Sequence, residues 1–200
     1  MSFREVDLFG GAMRCAIPQS FADVSQIRDV PDNQEVFADF HTDSSLMFEV
    51  VQYQQTVTDQ DAPRYFFRDL AEVNEADPWE VLQVIRLEPA IMPNLDGSIC
   101  KYLVMGHQTV SKFREGREAA NVVAIYMAII RLPEHHSEVL ISFNDPRCLS
   151  PASSSAPASH VGVPNGTSLH DAYSYLNQEG PQQFQSLLET FQIRDWGLFG

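Results

Sequence analysis

A run of nine consecutive apolar residues, Val122–Ile130, most constrains how this chain of 200 residues can fold. A membrane-spanning helix needs about 20 apolar residues, so the run is too short to cross a bilayer. Its β-branched residues predict a strand, and successive side chains of a strand point to opposite faces of a sheet. Both faces of this strand must therefore be covered. We expect a buried sheet with helices on both of its faces.

Five further segments rich in Val, Ile, Leu and aromatic residues also predict strands, which gives six in all. The segment between residues 112 and 117 is too short and too polar for a parallel crossover, so we expect antiparallel pairing on either side of it. The five segments are Glu35–Phe40, Leu46–Val51, Trp79–Leu87, Ile99–His107 and Val139–Phe143.

Two segments have the apolar spacing of an amphipathic helix. Phe66, Leu70 and Val73 recur at i, i+4 and i+7, with Asp61 as the expected cap and Pro63 in the first turn. A second helix follows Gly180-Pro181 on the same reasoning. Its apolar face is formed by Phe184, Leu187, Leu188 and Phe191.

The Ser-, Pro- and Ala-rich stretch 150–164 cannot bury enough apolar surface to order itself. We expect it to be a flexible surface insertion, because too little chain follows it to form a second core. The whole chain, 1–200, is therefore predicted to be a single domain. The apolar segments Leu8–Gly11 and Trp196–Gly200 are expected to dock on its core.

The chain carries 27 acidic and 13 basic side chains, for a net charge of −14. Such a charge repels nucleic-acid backbones and anionic membrane surfaces, and it favours a basic protein partner. Cys15, Cys100 and Cys148 are widely spaced, with no CxxC pair, and are expected to be reduced thiols. The first residues lack the basic and apolar pattern of a targeting peptide, so we expect a location in the nucleus and cytoplasm.

No motif points to catalysis. The sequence has no GxSxG elbow, no P-loop and no dinucleotide fingerprint. His41 with Asp39 and Asp43 could bind a metal on one extended face, although polar surface residues are the simpler interpretation. We predict no catalytic residue, no metal and no cofactor. A hydrolase stays as an alternative that would require a pocket with a nucleophile and a base.

The pair Asp32 and Glu35, with Asp29 beside it, is the distinctive polar feature. Two carboxylates at this spacing on a turn can be presented together to a Lys or Arg of a partner, through strong charge-assisted contacts. Alternatively, Asp32 caps its own turn and Glu35 is only solvated. The residue pattern alone favours the second interpretation.

Several sequence blocks resemble the Ran guanine nucleotide release factor family. They are LFGGAM at Leu8–Met13, Ile17-Pro18, VPDNQEVF at Val30–Phe37, GHQTVSK at Gly106–Lys112 and Arg131–Pro133. The N-terminal blocks are the most specific, since eight matching residues in a row after LFGG are hard to obtain by chance. The resemblance extends over nearly the whole chain.

The resemblance implies an α+β fold, an α/β/α sandwich around a central, mainly antiparallel six-stranded sheet, similar to PsbP proteins. It also implies a non-catalytic factor, expected to be a monomer, that binds the small GTPase Ran, releases its guanine nucleotide and influences nuclear import. Asp32 and Glu35 correspond to the family's acidic pair, which reverses the preference stated above. Asp23 and Asp29 are expected to widen the negative field. A PsbP-like module without Ran activity is the alternative.

Overall fold

The computed structural model describes residues 2–111, 120–148 and 182–200, and the predicted insertion 150–164 lies outside them. The described residues form ten strands and two α-helices. In chain order these are β1 (Phe3–Leu8), β2 (Met13–Pro18), β3 (Ala22–Asp23), β4 (Gln34–Asp39), β5 (Ser44–Gln52), α1 (Ala62–Val73), β6 (Trp79–Arg86), β7 (Cys100–Val110), β8 (Asn121–Leu132), β9 (Ser137–Cys148), α2 (Gln182–Thr190) and β10 (Gln192–Ile193).

Seven of the strands form one antiparallel sheet in the order β3-β4-β5-β9-β8-β7-β6. All twelve residues of β8 are buried, as expected for a strand covered on both faces. Alternate side chains of β8 enter two separate cores. Each of the six predicted strands overlaps one of β4–β9, and the antiparallel pairing of β7 with β8 is confirmed.

The predicted α/β/α sandwich, with a six-stranded sheet flanked by helices on both faces, is wrong. The described chain is mostly β, and the large sheet has a seventh, two-residue strand, β3. A second sheet, β1-β2-β10, packs with α2 against one face, while α1 covers part of the other. The β1–β2 hairpin lies on this face because Met13, Cys15 and Ile17 of β2 alternate with more exposed residues. The hairpin therefore has one buried face.

Helix α1 packs Phe66, Phe67 and Ala71 onto the sheet. Phe67 lies so close to Gly106 on β7 that a Cβ added there would stand 2.6 Å from its ring. Asp61 occupies the predicted N-cap position, but its side chain makes no capping bond and accepts the Thr58 hydroxyl instead. The prediction that Val73 belongs to the buried face is wrong, because its side chain is 75% exposed.

A buried ion pair joins β8 to β9 beside the turn between them. The Arg131 guanidinium lies 3.0 Å from Glu138 Oε1, and both side chains are fully buried. Arg131 also donates to Asp59 Oδ1 at 2.9 Å and to the carbonyl oxygens of Gln54 and Val57 at 3.0 and 2.8 Å. Most of its donors are thus used within the fold. The pair anchors the loop that precedes α1.

The two terminal segments pack together against the core. The backbone N–H groups of Arg194 and Asp195 donate to the Ala12 carbonyl, and Phe9, Leu198 and Phe199 pack against the larger core. This confirms the predicted docking of both apolar termini. Neither of the helices in the described part of the chain is long and apolar enough to cross a membrane.

Candidate protein-binding site

An open groove of about 430 Å³ lies where the β1–β2 turn and the C-terminal segment meet the residues around β3 and the start of β4. We call it the acidic groove. Its acidic residues are Asp23, Asp32 and Glu35, and its apolar wall contains Phe9, Gly10 and Leu198. The carboxylates of the groove thus come from residues 23–35, whereas residues 9, 10 and 198, near the two ends of the described chain, supply apolar surface.

Asp32 lies on a hydrogen-bonded turn just before β4. The backbone N–H of Gln34 donates to the Pro31 carbonyl at 2.8 Å, which closes the turn. Asn33 fixes the turn to β5, because its side chain donates to the Val50 carbonyl and its own carbonyl accepts the Val50 N–H at 2.9 Å. Asp32 itself is exposed and makes no hydrogen bond or ion pair with any residue that the structure describes. The turn presents this carboxylate to solvent.

Glu35 is half-buried on β4 and points toward the β1–β2 turn. Its Oε1 accepts the backbone N–H of Phe9 at 2.8 Å, across 26 positions of sequence. A hydrogen bond from a backbone amide to a carboxylate is charge-assisted and stronger than a neutral one. Glu35 is therefore neither a purely solvated carboxylate nor one left entirely to a partner. It connects β4 to the opposite wall of the groove.

The other two predicted acids lie differently. Asp23 lines the acidic groove and caps the 3₁₀ helix Val24–Gln26, with Oδ1 accepting the Ser25 N–H at 2.8 Å. Asp29 is exposed in the segment that follows but does not line the groove. The structure thus brings three of the four predicted site residues to one surface and leaves Asp29 at its margin.

Phe9, Gly10 and Leu198 line the groove, although no sequence pattern had predicted a binding role for them. The signal for the first two was present, because glycines after an apolar residue are typical of a turn with positive φ. Phe9, Gly10 and Gly11 have φ values of 50°, 66° and 94°. The position of Leu198 in the groove depends on tertiary packing of the C-terminal segment, which no local pattern encodes.

A metal site is not formed within residues 2–111, 120–148 and 182–200, where no group of three or more His, Cys, Asp or Glu side chains is placed to hold an ion. The proposed trio around Asp39 is arranged differently. Asp39 accepts the His41 N–H and the Ser20 hydroxyl, both at 2.9 Å. Burial raises the pKa of Asp39, but these hydrogen bonds outweigh it and leave that pKa below its ordinary value. Asp39 therefore organises its own turn.

The hydrolase alternative finds its strongest candidate nucleophile in Cys100, which shares a second depression with His135 and Asp59. Burial, together with the nearby Asp59 carboxylate, raises the pKa of the Cys100 thiol to about 11. A nucleophilic cysteine needs the opposite shift, because the thiolate is the reactive form. The electrostatics around Cys100 thus disfavour nucleophilic catalysis.

Comparisons with known proteins give one consistent family. A family described as "Ran-interacting Mog1 protein" matches residues 6–146. A Danio rerio protein named Ran guanine nucleotide release factor is 38% identical over 196 residues, which cover 96% of this chain and 98% of that protein. A Saccharomyces cerevisiae protein named nuclear import protein MOG1 is 30% identical and covers 100% of this chain and 86% of its own length.

The fold agrees with a solved structure. The crystal structure of the Saccharomyces cerevisiae Ran-binding protein Mog1p superposes with a TM-score of 0.68 at 24% identity, over 100% of both chains. Its agreement with the present structure shows a shared fold. The family match and the identity to full-length relatives show the membership itself: this chain belongs to the Mog1 family.

Proposed function

We propose that this protein binds the small GTPase Ran, promotes release of its bound guanine nucleotide and thereby takes part in nuclear protein import. The names of the Danio rerio and Saccharomyces cerevisiae relatives support this function. The observation that carries the site is the exposed carboxylate of Asp32, which has no partner among the described residues and lies on a hydrogen-bonded turn at the edge of the acidic groove. The protein acts in the nucleus and cytoplasm, as a monomer and without a cofactor.

Contact with Ran is electrostatic at the acidic groove. Asp32 pairs with a basic side chain of Ran, Glu35 lies beside it in the same groove, and a hydrogen bond that involves a charged group contributes about 1.5–3 kcal/mol. Asp23 and Asp29 extend the negative field around this contact. With a net charge of −14, the protein attracts a basic surface at long range, so association is faster at low salt.

Nucleotide release follows from differential binding rather than from a covalent step. A partner shifts an equilibrium only by the difference between its affinities for the two states. This protein therefore binds more tightly to the form of Ran that holds GTP and its Mg²⁺ weakly than to the loaded form. The population of the weak-nucleotide form rises, and the nucleotide dissociates faster.

Isothermal titration of Ran with the wild-type protein and with Asp32→Lys tests the proposal. Because the substitution replaces an attractive charge with a repulsive one, we expect the affinity to fall at least tenfold, which corresponds to about 1.4 kcal/mol. Asp69→Lys is the matched control, since Asp69 is an exposed acid on α1, far from the groove. It makes the same charge change and should leave the affinity within about threefold.

Two results would count against the proposal. Absence of heat and of any binding between wild-type protein and Ran would remove the function itself. Equal losses in Asp32→Lys and Asp69→Lys would show that only the net charge matters and that the acidic groove is not the contact surface.

A further inference from the structure

We propose that Glu35 is a positioning residue, which holds the Phe9–Gly11 turn as one wall of the acidic groove, while Asp32 alone supplies the carboxylate that pairs with a basic side chain of the partner. This inference rests on the proposed function, because it assigns separate roles to two acids within that site. It also names what the groove accepts, a single Arg or Lys side chain.

The hydrogen bond between Glu35 and Phe9 shows the division of roles. Glu35 Oε1 is engaged by the Phe9 N–H at 2.8 Å, whereas Asp32 has no partner among the described residues. A carboxylate already bonded inside the protein gains less from a new partner than a fully available one does. Loss of Glu35 removes a connection between the two walls, whereas loss of Asp32 removes only a surface charge.

The backbone of the Phe9–Gly11 turn needs such a connection. Phe9 has φ 50°, which is uncommon for a bulky residue, and such conformations persist only where the surroundings hold them. A Cβ built on Gly10 or Gly11 would meet no atom within 4 Å. These glycines are therefore required by the positive φ of the backbone rather than by lack of space. The bond from Phe9 to Glu35 fixes the turn at its most strained position.

The Phe9–Gly11 turn supplies part of the apolar surface that a partner side chain contacts in the groove. Phe9 and Leu198 provide apolar surface in the same groove as the Asp32 carboxylate, and both pack against the core. Arg and Lys side chains bury their aliphatic stems along apolar surface while the charged head stays in polar surroundings. The groove offers both features only while the turn is held in place.

The test compares Glu35→Gln with Glu35→Ala. The Gln side chain keeps an oxygen that accepts the Phe9 N–H but carries no charge, whereas Ala removes both. We expect the Phe9 amide to stay protected from hydrogen exchange in Glu35→Gln, measured by NMR, and Ran affinity to fall no more than about threefold. In Glu35→Ala we expect loss of that protection and at least a tenfold fall in affinity.

Two further variants separate the turn from the charge. Gly10→Val keeps the net charge but puts a β-branched residue at positive φ, so it should weaken Ran binding as Glu35→Ala does. Asp32→Asn should weaken binding while leaving the Phe9 amide as protected as in the wild type. Circular dichroism of each variant confirms that it is folded, and Gly10→Val replaces Glu35→Ala if the latter does not fold.

Two results overturn the inference and leave the proposed function intact. In the first, Glu35→Gln binds Ran as weakly as Glu35→Ala while its Phe9 amide stays protected. Glu35 would then act through its charge on the partner. Unchanged Phe9 protection in Glu35→Ala would also overturn the inference, since the turn would not depend on Glu35. Failure of the wild-type protein to bind Ran is a different result, which removes the proposed function and this inference together.

Discussion

Replacement of Glu138 by Gln should destabilise the fold strongly, because it leaves Arg131 buried without its buried counter-charge. Removing one partner of a buried ion pair costs about 3–5 kcal/mol. Arg131 keeps a 2.9 Å contact to Asp59, whose side chain is half exposed, and this lowers the expected loss. The new amide group adds to the loss, because Glu138 Oε2 is buried and has no hydrogen-bond partner among the residues that the structure describes. We expect a net cost of about 3 kcal/mol.

Urea unfolding followed by circular dichroism measures this cost. With a slope of about 2.5 kcal/mol per molar for a protein of this size, the midpoint should fall by roughly 1.2 M. Arg68→Gln is the control, because its partner Glu72 lies 3.6 Å away on the exposed side of α1. Loss of this surface pair should cost about 0.5 kcal/mol or less. A Glu138→Gln variant as stable as the control would refute the view that the buried pair anchors the loop that precedes α1.

Two residues of β7, Gly106 and His107, give further predictions. Gly106→Ala should lower the free energy of unfolding by about 2–3 kcal/mol in urea titrations, because its Cβ would overlap the Glu80 carbonyl and the Phe67 ring. Gly97→Ala, which meets only ordinary van der Waals contact, should change it by less than about 0.5 kcal/mol. Burial lowers the pKa of His107 in the folded protein. The His107 side chain of the unfolded chain therefore takes up a proton at a higher pH than that of the folded protein. Its contribution to stability falls on acidification from about pH 7 to pH 5. His107→Gln should lose less stability than the wild type between these two pH values, and an equal loss in both would contradict the assignment.

The sequence predicts the large sheet better than the rest of the fold. Strands such as β8 are apolar at nearly every position, and that pattern is strong enough to read without tertiary information. The β1–β2 hairpin was missed because charged residues interrupt β1, and only Val6 and Leu8 of that strand are buried. The third strand of the small sheet, β10, comes from residues 192–193 at the other end of the chain. This face is therefore covered by the small sheet together with the predicted helix α2, and not by helices alone.

The candidate site shows the same limit. The acidic character of residues 23–35 is visible in the sequence, and the resemblance to the family is confirmed by the comparisons. The groove itself is not visible there, because Leu198 reaches it from the far end of the chain. The bond from Phe9 to Glu35 joins the turn after β1 to β4, across 26 positions of sequence. Spacing alone did not distinguish the two acids, whereas in the described part of the chain Glu35 accepts the Phe9 N–H and Asp32 has no partner.

Release of a fluorescent GTP analogue from Ran measures the proposed activity itself. We expect the wild-type protein to accelerate release, the Asp32→Lys, Glu35→Lys double variant not to do so, and Asp69→Lys to behave as the wild type. Circular dichroism should show all three proteins folded. An unchanged release rate with saturating wild-type protein would rule out the proposed function, and full acceleration by the double variant would rule out the acidic groove as the contact surface.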